Sequence, residues 1–376
     1  MRIAQLAPLW ERVPPPAYGG IEMVVYHLTE ELTRLGHQVT LFASGDSCTS
    51  AELRSVFPRS LRTADDLQHK LPYDWLHHAV ALRAADEFDI IHNHAGELPM
   101  AMSLLIRRPM LSTLHGLVIP DTRLVWDYYP WYYNTLSHAA RRAMPPVKCP
   151  NYLGVVYNGI DVAAFPFSPV KSDYLLFLSR IAPEKGTHLA IEIARRIGCR
   201  LIIAGKVDPV DREYYTTVIK PRIDGALVEY VGEATREQAK DLLQKARCLL
   251  LPLCWEEPFG LVMVEAMACG TPVVAMRRGA APELVIEGVT GFLGDSVDDL
   301  CRAIPQVETL DPVRCRQHVA ENFSVQRMVQ GYLRLYEQIL AAHPRSPAPA
   351  ITAARPADGQ PAPTVAGRTG LSRTHP

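Results

Sequence analysis

The chain lacks several features that mark common functional classes. It has no basic tract and its net charge is −1, so nothing indicates binding to the phosphate backbone of a nucleic acid. Its longest apolar runs have the length of a strand and are too short to span a bilayer. Its eight cysteines are scattered, without C-x-x-C or zinc-site spacing, which is typical of reduced thiols in the cytoplasm. The N-terminal MRIAQLAPLW lacks the cleavage region of a signal peptide. We therefore expect a cytoplasmic protein without a metal site or a nucleic-acid partner.

The chain is long enough for two domains of ordinary size. Its 376 residues are 48% hydrophobic and 21% charged, which is typical of a globular protein. A strand at 2–8 is followed by a helix that ends at Gly36 and by a second strand at 37–44. This order predicts a doubly wound parallel sheet, and the same pattern starts again at Tyr174. The first turn has no G-x-G-x-x-G, which argues against a dinucleotide cofactor.

The most informative stretch is LLLPLCWEEPFGLVMVEAMACG at 249–270. Its apolar start predicts a buried strand, PFG a tight turn, and LVMVEAMA a helix that stops at Gly270. Glu257 then lies on the turn and Glu265 in the second helical turn, at most about 12 Å apart along the axis. That distance is roughly the span of a nucleoside diphosphate-sugar from its hexose to its ribose. Carboxylates suit such a ligand because they accept hydrogen bonds from hydroxyls.

The start of the same helix is a candidate anion site. The backbone N–H groups of Phe259, Gly260 and Leu261 have no partner within a helix, and a helix N-terminus of this kind suits a diphosphate. The glycine lets a ligand approach the backbone closely. Two glutamates at this spacing are also typical of a solvated helix face, so the residue pattern alone leaves both interpretations open.

The full string E-P-F-G-L-x-x-x-E-A-M-A-C-G-T-P-V-V-A resembles the E-x7-E signature of glycosyltransferase family 4. These retaining enzymes have an α/β fold of two Rossmann-like doubly wound domains that face a central cleft, the glycosyltransferase-B fold. Several motifs match in order, and the resemblance covers nearly the whole chain up to about residue 340. It implies that Glu257 holds hydroxyls of the transferred sugar and that Glu265 holds the ribose of the nucleotide.

Two motifs in the first half also resemble the family. Gly19-Gly20 precedes the first helix, where family members carry a glycine loop that faces the donor. The sequence T-L-H-G matches the family's T-x-H-G, whose histidine, here His115, reaches the donor sugar. His115 also follows a predicted strand, on the side where open α/β sheets bind ligands.

A further motif opens the second half. SRIAPEKG resembles the family's G-R-L-x-x-x-K-G, with Ser179 in place of the usual glycine. The resemblance implies that Arg180 and Lys185 bind the leaving diphosphate, Arg180 as a planar fork of donors and Lys185 as a compact charge. A strand that ends at Gly232 is expected to flank the base of the nucleotide.

Three features have no single interpretation. His92 and His94 form H-x-H on a strand, but no third ligand accompanies them, so a metal site is not expected. The aromatic run WDYYPWYYN at 126–134 suits packing over the sheet edge, or an acceptor platform or membrane interface. Glu283 again resembles the family and is either structural or near the base.

The motifs also predict the domain organisation. V-Y-N-G-I-D resembles the family's crossover between domains. The pattern from Glu321 to Ala342 predicts one long final helix. We expect an N-terminal acceptor-side domain at 1–162, completed by the part of this helix at 323–342, which crosses back to it. A donor-binding domain is expected at 163–322. The segment 343–376 is rich in proline and alanine and is predicted to be disordered.

The resemblance implies a retaining, metal-independent transferase that moves a hexose-type sugar from a nucleotide-sugar to an acceptor hydroxyl. No cofactor is expected beyond the co-substrate, a UDP-, GDP- or ADP-sugar. The partners are this donor and a sugar or lipid-linked acceptor. Peripheral contact with the inner face of a membrane stays open because the acceptor can be a lipid. The pattern indicates neither the acceptor and its linkage nor the oligomeric state.

Two other functional classes fit parts of this pattern. A sugar-nucleotide epimerase on the same fold would act on the donor without any acceptor. A non-catalytic nucleotide-sugar-binding protein would bind tightly without turnover and would not need both Arg180 and Lys185.

Overall fold

The computed structural model describes residues 1–17, 19–149 and 151–344. The strands of this part are β1 Arg2–Leu6, β2 Gln38–Phe42, β3 Glu52–Arg54, β4 Ile90–Asn93, β5 Met110–Leu114, β6 Tyr132–Thr135, β7 Tyr152–Val155, β8 Leu175–Leu178, β9 Leu201–Ala204, β10 Val228–Tyr230, β11 Cys248–Leu251, β12 Val273–Met276 and β13 Gly291–Gly294. The α-helices are α1 Gly20–Arg34, α2 Leu71–Arg83, α3 Glu97–Met102, α4 Arg123–Tyr128, α5 His138–Ala143, α6 Thr187–Ile197, α7 Arg212–Tyr214, α8 Arg236–Lys245, α9 Leu261–Ala268, α10 Ala281–Leu284, α11 Val297–Ala303, α12 Pro312–Asn322 and α13 Val325–Ala342.

The strands form two parallel sheets. The first has the order β3-β2-β1-β4-β5-β6-β7 and the second has the order β10-β9-β8-β11-β12-β13. Most of these strands are short apolar runs buried on both faces, as parallel strands covered by helices require. This architecture confirms the predicted fold of two Rossmann-like α/β sheets. The strand order reverses between β1 and β4 and again between β8 and β11, and ligands of such sheets bind beyond the carboxyl ends of the strands at these points.

The last helix packs on the first sheet. Val329, Tyr332 and Ile339 of α13 are buried in one cluster with Ile3 of β1 and Leu28 of α1. The sequence suggested one continuous helix from Glu321 to Ala342. The structure instead ends α12 at Asn322 and starts α13 at Val325, because the hydroxyl of Ser324 caps the new helix by accepting from the N–H of Arg327. The predicted disorder of 343–376 concerns a segment of which only 343 and 344 are described.

Glu283 connects the two halves of the chain. Its carboxylate accepts hydrogen bonds from the backbone N–H groups of His138 at 2.8 Å and Ala139 at 2.6 Å, at the start of α5. It also accepts from the Tyr157 hydroxyl at 3.0 Å. A carboxylate at a helix N-terminus is stabilised by the unpaired N–H groups and by the helix dipole. These contacts agree with a structural role of Glu283, one of the two alternatives that the sequence left open.

Candidate active site

A cleft of about 390 Å³ lies at the carboxyl ends of β8, β9 and β11, opposite the start of α1. Ten of the eleven residues predicted for the site line it: Gly19, Gly20, His115, Arg180, Lys185, Glu257, Phe259, Gly260, Leu261 and Glu265. Gly232 is not among the lining residues, although its neighbour Glu233 is. The carbonyl of Gly232 accepts from the N–H of Gly205 at 2.8 Å, beside the cleft.

The glycine loop of the first half approaches the first turn of α9. Gly19 has φ 149°, and a Cβ there would lie 2.6 Å from Cβ of Pro15. A Cβ on Gly20 would lie 3.2 Å from Cδ1 of Leu261. The loop therefore needs glycine for close packing within its own half and for close approach to the second half. It brings the start of α1 to the start of α9.

Lys185 and Glu257 form an ion pair in the cleft. Nζ of Lys185 donates to Oε2 of Glu257 at 2.5 Å, and the two side chains are only 14% and 15% exposed. The indole Nε1 of Trp255 donates to the same oxygen at 3.1 Å. Its ring lies 4.3 Å from Nζ of Lys185, within the range of a cation–π contact. Within the described residues Oε1 of Glu257 makes no hydrogen bond, so one carboxylate oxygen is open toward a ligand.

Arg180 is surrounded by carboxylates. It pairs with Asp211 at 2.8 Å, with Asp208 at 3.6 Å and with Glu184. These contacts hold the guanidinium at the wall of the cleft, next to Ser179. Because a guanidinium carries five N–H donors, such contacts leave donors for an anionic ligand.

The turn before α9 presents backbone donors to the cleft. Gly260 has φ 85°, a left-handed conformation, and a Cβ there would lie 2.5 Å from Cε of Met263. In the described chain the N–H groups of Phe259, Gly260 and Leu261 donate to no protein acceptor. The sequence predicted these donors, and the structure leaves them at the cleft wall.

Glu265 of α9 also lines the cleft, near two cations of α8. Burial raises the pKa of the Glu265 carboxyl, while the charges of Arg236 and Lys240 act in the opposite direction. Both cations line the cleft. They are four residues apart and therefore on one face of α8.

His115 lies where the cleft meets a second cavity of about 250 Å³. This cavity extends into the first half and is also lined by Asn93, Glu97 and Trp126. Nε2 of His115 lies 2.9 Å from Nδ1 of His94. Burial lowers the pKa of His115 to about 3, so the ring is neutral at physiological pH.

His92 and His94 are buried and bonded to other side chains. His92 contacts Tyr336 and Thr113, and His94 contacts Gln5 and His115. Over residues 1–17, 19–149 and 151–344 the structure has no group of three or more His, Cys, Asp or Glu side chains arranged to hold a metal ion.

Among the helices of these same residues, none combines the length and the apolar composition that spanning a bilayer requires.

The aromatic run at 126–134 does not form one surface. Trp126, Tyr129 and Tyr133 are buried in the core of the first half, whereas Tyr128 is 71% exposed at the end of α4. The packing interpretation therefore describes most of the run. Trp126 also reaches the wall of the second cavity, which keeps a contact with an acceptor open.

Sequence reasoning missed three residues of the cleft. Trp255 stands two positions before Glu257, and an aromatic residue so near a candidate sugar ligand was the available signal. Arg236 and Lys240 carried the signal of two cations one helical turn apart, which is also the pattern of an ordinary solvated helix. Only the packing of α8 beside α9 distinguishes these possibilities.

Both halves of the chain match models of glycosyltransferase families. Residues 163–322 match glycosyl transferases group 1, and residues 18–164 match glycosyltransferase family 4. A glycogen synthase of Mycobacterium tuberculosis (strain H37Rv) is 28% identical over 347 residues, which cover 77% of this chain and 81% of that protein.

Solved structures support the same fold. AviGT4, a glycosyltransferase involved in avilamycin A biosynthesis, is 26% identical with a TM-score of 0.70, covering 90% of this chain and 98% of that chain. HepE of Anabaena, solved in complex with UDP and glucose, is 20% identical with a TM-score of 0.69, covering 90% of this chain and all (100%) of that chain. Both neighbours confirm the predicted glycosyltransferase-B fold.

Proposed function

Because this chain belongs to glycosyltransferase family 4, group 1, we propose that it moves a hexose-type sugar from a nucleotide-sugar donor to an acceptor hydroxyl. The anomeric configuration is retained and no metal ion is required. The observation that carries the proposal is that one cleft is lined by Arg180 and Lys185, by Glu257 and Glu265, and by the open N-terminus of α9.

The leaving diphosphate binds between Arg180, Lys185 and the first N–H groups of α9. Negative charge grows on this group as its bond to the anomeric carbon breaks. Fixed cations and N–H donors aimed at that charge stabilise the transition state, often by more than any other effect. Lys185 uses one of its three donors on Glu257, which leaves others for a diphosphate oxygen. These groups supply the positive charge for which other transferases use a divalent ion.

The transferred sugar binds Glu257 through its hydroxyls. Oε2 of Glu257 is occupied by Lys185 and Trp255, whereas Oε1 is open. The Glu257 carboxylate thus contacts both the sugar, through Oε1, and Lys185, through Oε2, and Lys185 in turn holds the leaving group. Glu265 binds the ribose of the nucleotide. Glu257 is a binding group and not the nucleophile of a glycosidase-type scheme.

The acceptor enters from the second cavity, past His115. That cavity is contiguous with the cleft because His115 lines both. The acceptor hydroxyl then attacks from the side on which the diphosphate leaves, and a diphosphate oxygen takes its proton. A leaving-group oxygen that acts as the base explains retention without a protein nucleophile.

Donor binding and hydrolysis test this proposal. The wild type is screened with UDP-, GDP- and ADP-glucose in the presence of EDTA, by thermal shift and by release of free sugar. A donor at 100 times its dissociation constant should stabilise the fold by about 2.7 kcal/mol. Glu257→Gln should weaken both the shift and the release of sugar, because it removes the charge that pairs with Lys185 and accepts from hydroxyls.

Glu256→Gln is the matched control. Glu256 is the adjacent carboxylate, but it is exposed and accepts from the N–H of Gly279 at 2.7 Å instead of lining the cleft. An equal loss in both variants contradicts the role of Glu257. Activity that appears only with added divalent ions contradicts metal independence. Conversion of the donor to its epimer without an acceptor shows the epimerase instead.

A further inference from the structure

A continuous series of hydrogen bonds leads from His115 at the cleft into the interior. Nε2 of His115 contacts Nδ1 of His94 at 2.9 Å, and Nε2 of His94 contacts Oε1 of Gln5 at 2.9 Å. The amide nitrogen of Gln5 donates to the hydroxyl of Tyr336 on α13 at 3.2 Å. Gln5 and Tyr336 are fully buried and His94 is 2% exposed. Side chains so completely removed from water must satisfy their polar atoms within the protein.

The series continues through the first sheet. The Tyr336 hydroxyl lies 2.6 Å from Nδ1 of His92, and Nε2 of His92 lies 2.6 Å from Oγ1 of Thr113. Thr113 donates to Oδ1 of Asn134 at 2.7 Å. The amide nitrogen of Asn134 donates to the carbonyl oxygen of Thr135 at 3.4 Å. We call the whole series from His115 to Thr135 the histidine chain.

The end of the histidine chain at Asn134 and Thr135 determines which group donates and which accepts in each of its hydrogen bonds. A carbonyl oxygen can only accept, so the amide nitrogen of Asn134 faces Thr135 and its oxygen faces Thr113. Thr113 gives its one proton to Asn134 and therefore accepts from Nε2–H of His92. A neutral imidazole carries one proton, so Nδ1 of His92 has only a lone pair.

The same reasoning leads back to the cleft. Tyr336 gives its one proton to Nδ1 of His92, and its oxygen accepts from the amide nitrogen of Gln5. The amide oxygen of Gln5 accepts from Nε2–H of His94. Nδ1 of His94 then accepts from Nε2–H of His115. Nδ1 of His115 carries no proton.

We propose that the histidine chain holds His115 in the tautomer with its proton on Nε2, so that a bare Nδ1 faces the ligand. His94, Gln5 and Tyr336 are positioning residues, which act on the ligand only through His115. Among the described residues Nδ1 of His115 has no hydrogen-bond partner. It therefore accepts from a hydroxyl of the donor sugar or the acceptor and disfavours a carboxylate at that point. The ligand role rests on the proposed function, whereas the tautomer does not.

This order of donors and acceptors requires that the imidazole rings of the histidine chain are neutral. Burial lowers the pKa of His115 to about 3 and lowers the pKa values of His92 and His94 well below 6.5. A protonated ring would donate from both nitrogens and reverse part of the series. The burial that conceals the rings therefore also preserves the order of donors and acceptors.

The tautomer is measured directly by NMR. Long-range ¹H–¹⁵N correlation spectra of the full chain, labelled with ¹⁵N-histidine, report which ring nitrogen of each histidine is protonated. His115→Gln identifies the signals of His115. We expect the proton on Nε2 in His115, His94 and His92 at pH 7.5. A proton on Nδ1 of His115 overturns the proposal.

Tyr336→Phe and Tyr332→Phe form a matched pair of variants. Both remove one hydroxyl from a buried tyrosine of α13. The Tyr332 hydroxyl hydrogen-bonds to Thr113, at 3.3 Å, and to the side chain of Asn134, beside the shorter bond that joins these two residues directly. Tyr336→Phe should leave Gln5 free to rotate, so that His115 populates both tautomers. Tyr332→Phe should leave the Nε2–H tautomer unchanged. Equal effects of the two variants overturn the proposal.

Kinetics separate this inference from the proposed function. With the nucleotide-glucose that the wild type hydrolyses, Tyr336→Phe should lower kcat/KM roughly tenfold, the value of one lost hydrogen bond. Tyr332→Phe should keep kcat/KM near the wild-type value, and the two variants should have the same melting temperature. If Tyr336→Phe alters the tautomer but leaves kcat/KM unchanged, the claim that the histidine chain acts on the ligand is wrong. If no donor is turned over, the spectra still decide the tautomer, and only the proposed function fails.

Discussion

At the scale of single residues, the pairing of Lys185 with Glu257 is the central feature of the site. The sequence motif assigns Lys185 to the diphosphate and Glu257 to the sugar, as if they acted separately. In the structure they share a contact of 2.5 Å beneath the ring of Trp255. A buried ion pair in which one partner is removed leaves an uncompensated charge. Each residue therefore positions the other, in addition to the part of the donor that we propose it binds.

Replacing Lys185 tests the charge on the leaving group. We expect Lys185→Ala to lower kcat about 100- to 1000-fold, the loss that follows removal of one donor from a developing anion. Steady-state transfer or donor hydrolysis measures the change, and circular dichroism checks that the fold survives. An unchanged kcat removes Lys185 from the leaving-group role.

Lys245→Ala is the control for Lys185→Ala. Lys245 also pairs with a carboxylate, Asp241, but both side chains are more than half exposed, at 55% and 57%. Exposed pairs contribute little to stability. Lys245→Ala should therefore leave kcat within about twofold of the wild type, since surface substitutions away from a site have small effects.

At the scale of elements, the loop before α9 depends on the loop that follows β12. Gly279 of the second loop has φ 54°, and a Cβ there would lie 2.2 Å from the backbone nitrogen of Glu257. The N–H of Ala280 donates to the carbonyl of Glu257 at 2.8 Å. The position of Glu257 is thus set by backbone contacts between two loops that are distant in sequence.

Gly279→Ala should displace Glu257 and lower activity more than stability. The added methyl group cannot be accommodated at 2.2 Å from backbone, so the turn that carries Glu257 must move. A shift of about 1 Å at a catalytic group can cost about 100-fold in rate. The measurements are kcat/KM for donor hydrolysis and the urea midpoint of unfolding.

Gly288→Ala separates steric displacement from backbone strain. Gly288 also has a positive φ, 71°, but no atom lies within 4 Å of the position of a Cβ. Both variants carry the cost of a left-handed alanine, about 1–2 kcal/mol. We expect Gly288→Ala to keep its kcat/KM. A similar loss of kcat/KM in both variants shows that strain alone, and not the contact with Glu257, causes the effect.

At the scale of the whole molecule, the site is assembled from both sheets. His115 follows β5 of the first sheet, whereas Arg180 follows β8 of the second. Ser137 donates to the carbonyl of Pro258 at 2.7 Å across the two halves. Parallel sheets place functional residues at the carboxyl ends of their strands. Two such edges facing each other form one cleft from residues of both halves.

The buried histidines should make the protein sensitive to acid. Burial lowers the pKa of His77 to about 4 and that of His78 to about 3. Below pH 6.5 the unfolded chain therefore binds protons that the folded chain does not, and stability falls as the pH decreases. Glu22, whose pKa burial raises to about 7, acts in the opposite direction. The effect of a histidine is therefore best measured as a difference between variant and wild type.

His78→Leu should stabilise the protein more at pH 5 than at pH 7. Neither ring nitrogen of His78 makes a hydrogen bond in the described part of the chain, and Asp74 lies 3.9 Å away. The gain in the free energy of unfolding should be larger at pH 5 by roughly 1–2 kcal/mol. Urea unfolding at the two pH values measures it. His69, which is exposed, provides the control: a pH-dependent gain in His69→Leu equal to that of His78→Leu contradicts the explanation.

The sequence predicted the local elements of the site well and their partners poorly. The turn at Gly260, the helix stop at Gly270 and the strand before His115 follow from glycine, capping and apolar patterns within a few residues. The local signals of Trp255 and Arg236 are ones that ordinary surface residues also show, so they did not identify these two as cleft residues. The break at Ser324 was missed since apolar spacing continues across it.

The sequence by itself determined the α/β class, the order of strands and helices, and four charged residues of the cleft: Arg180, Lys185, Glu257 and Glu265. These properties depend on turns, caps and periodicity over short stretches. Only the tertiary structure decided which of these residues meet. Lys185 and Glu257 are 72 positions apart, and His92 and Tyr336 are 244 positions apart. Such contacts depend on how helices pack on two separate sheets, and no pattern within a single element encodes that packing.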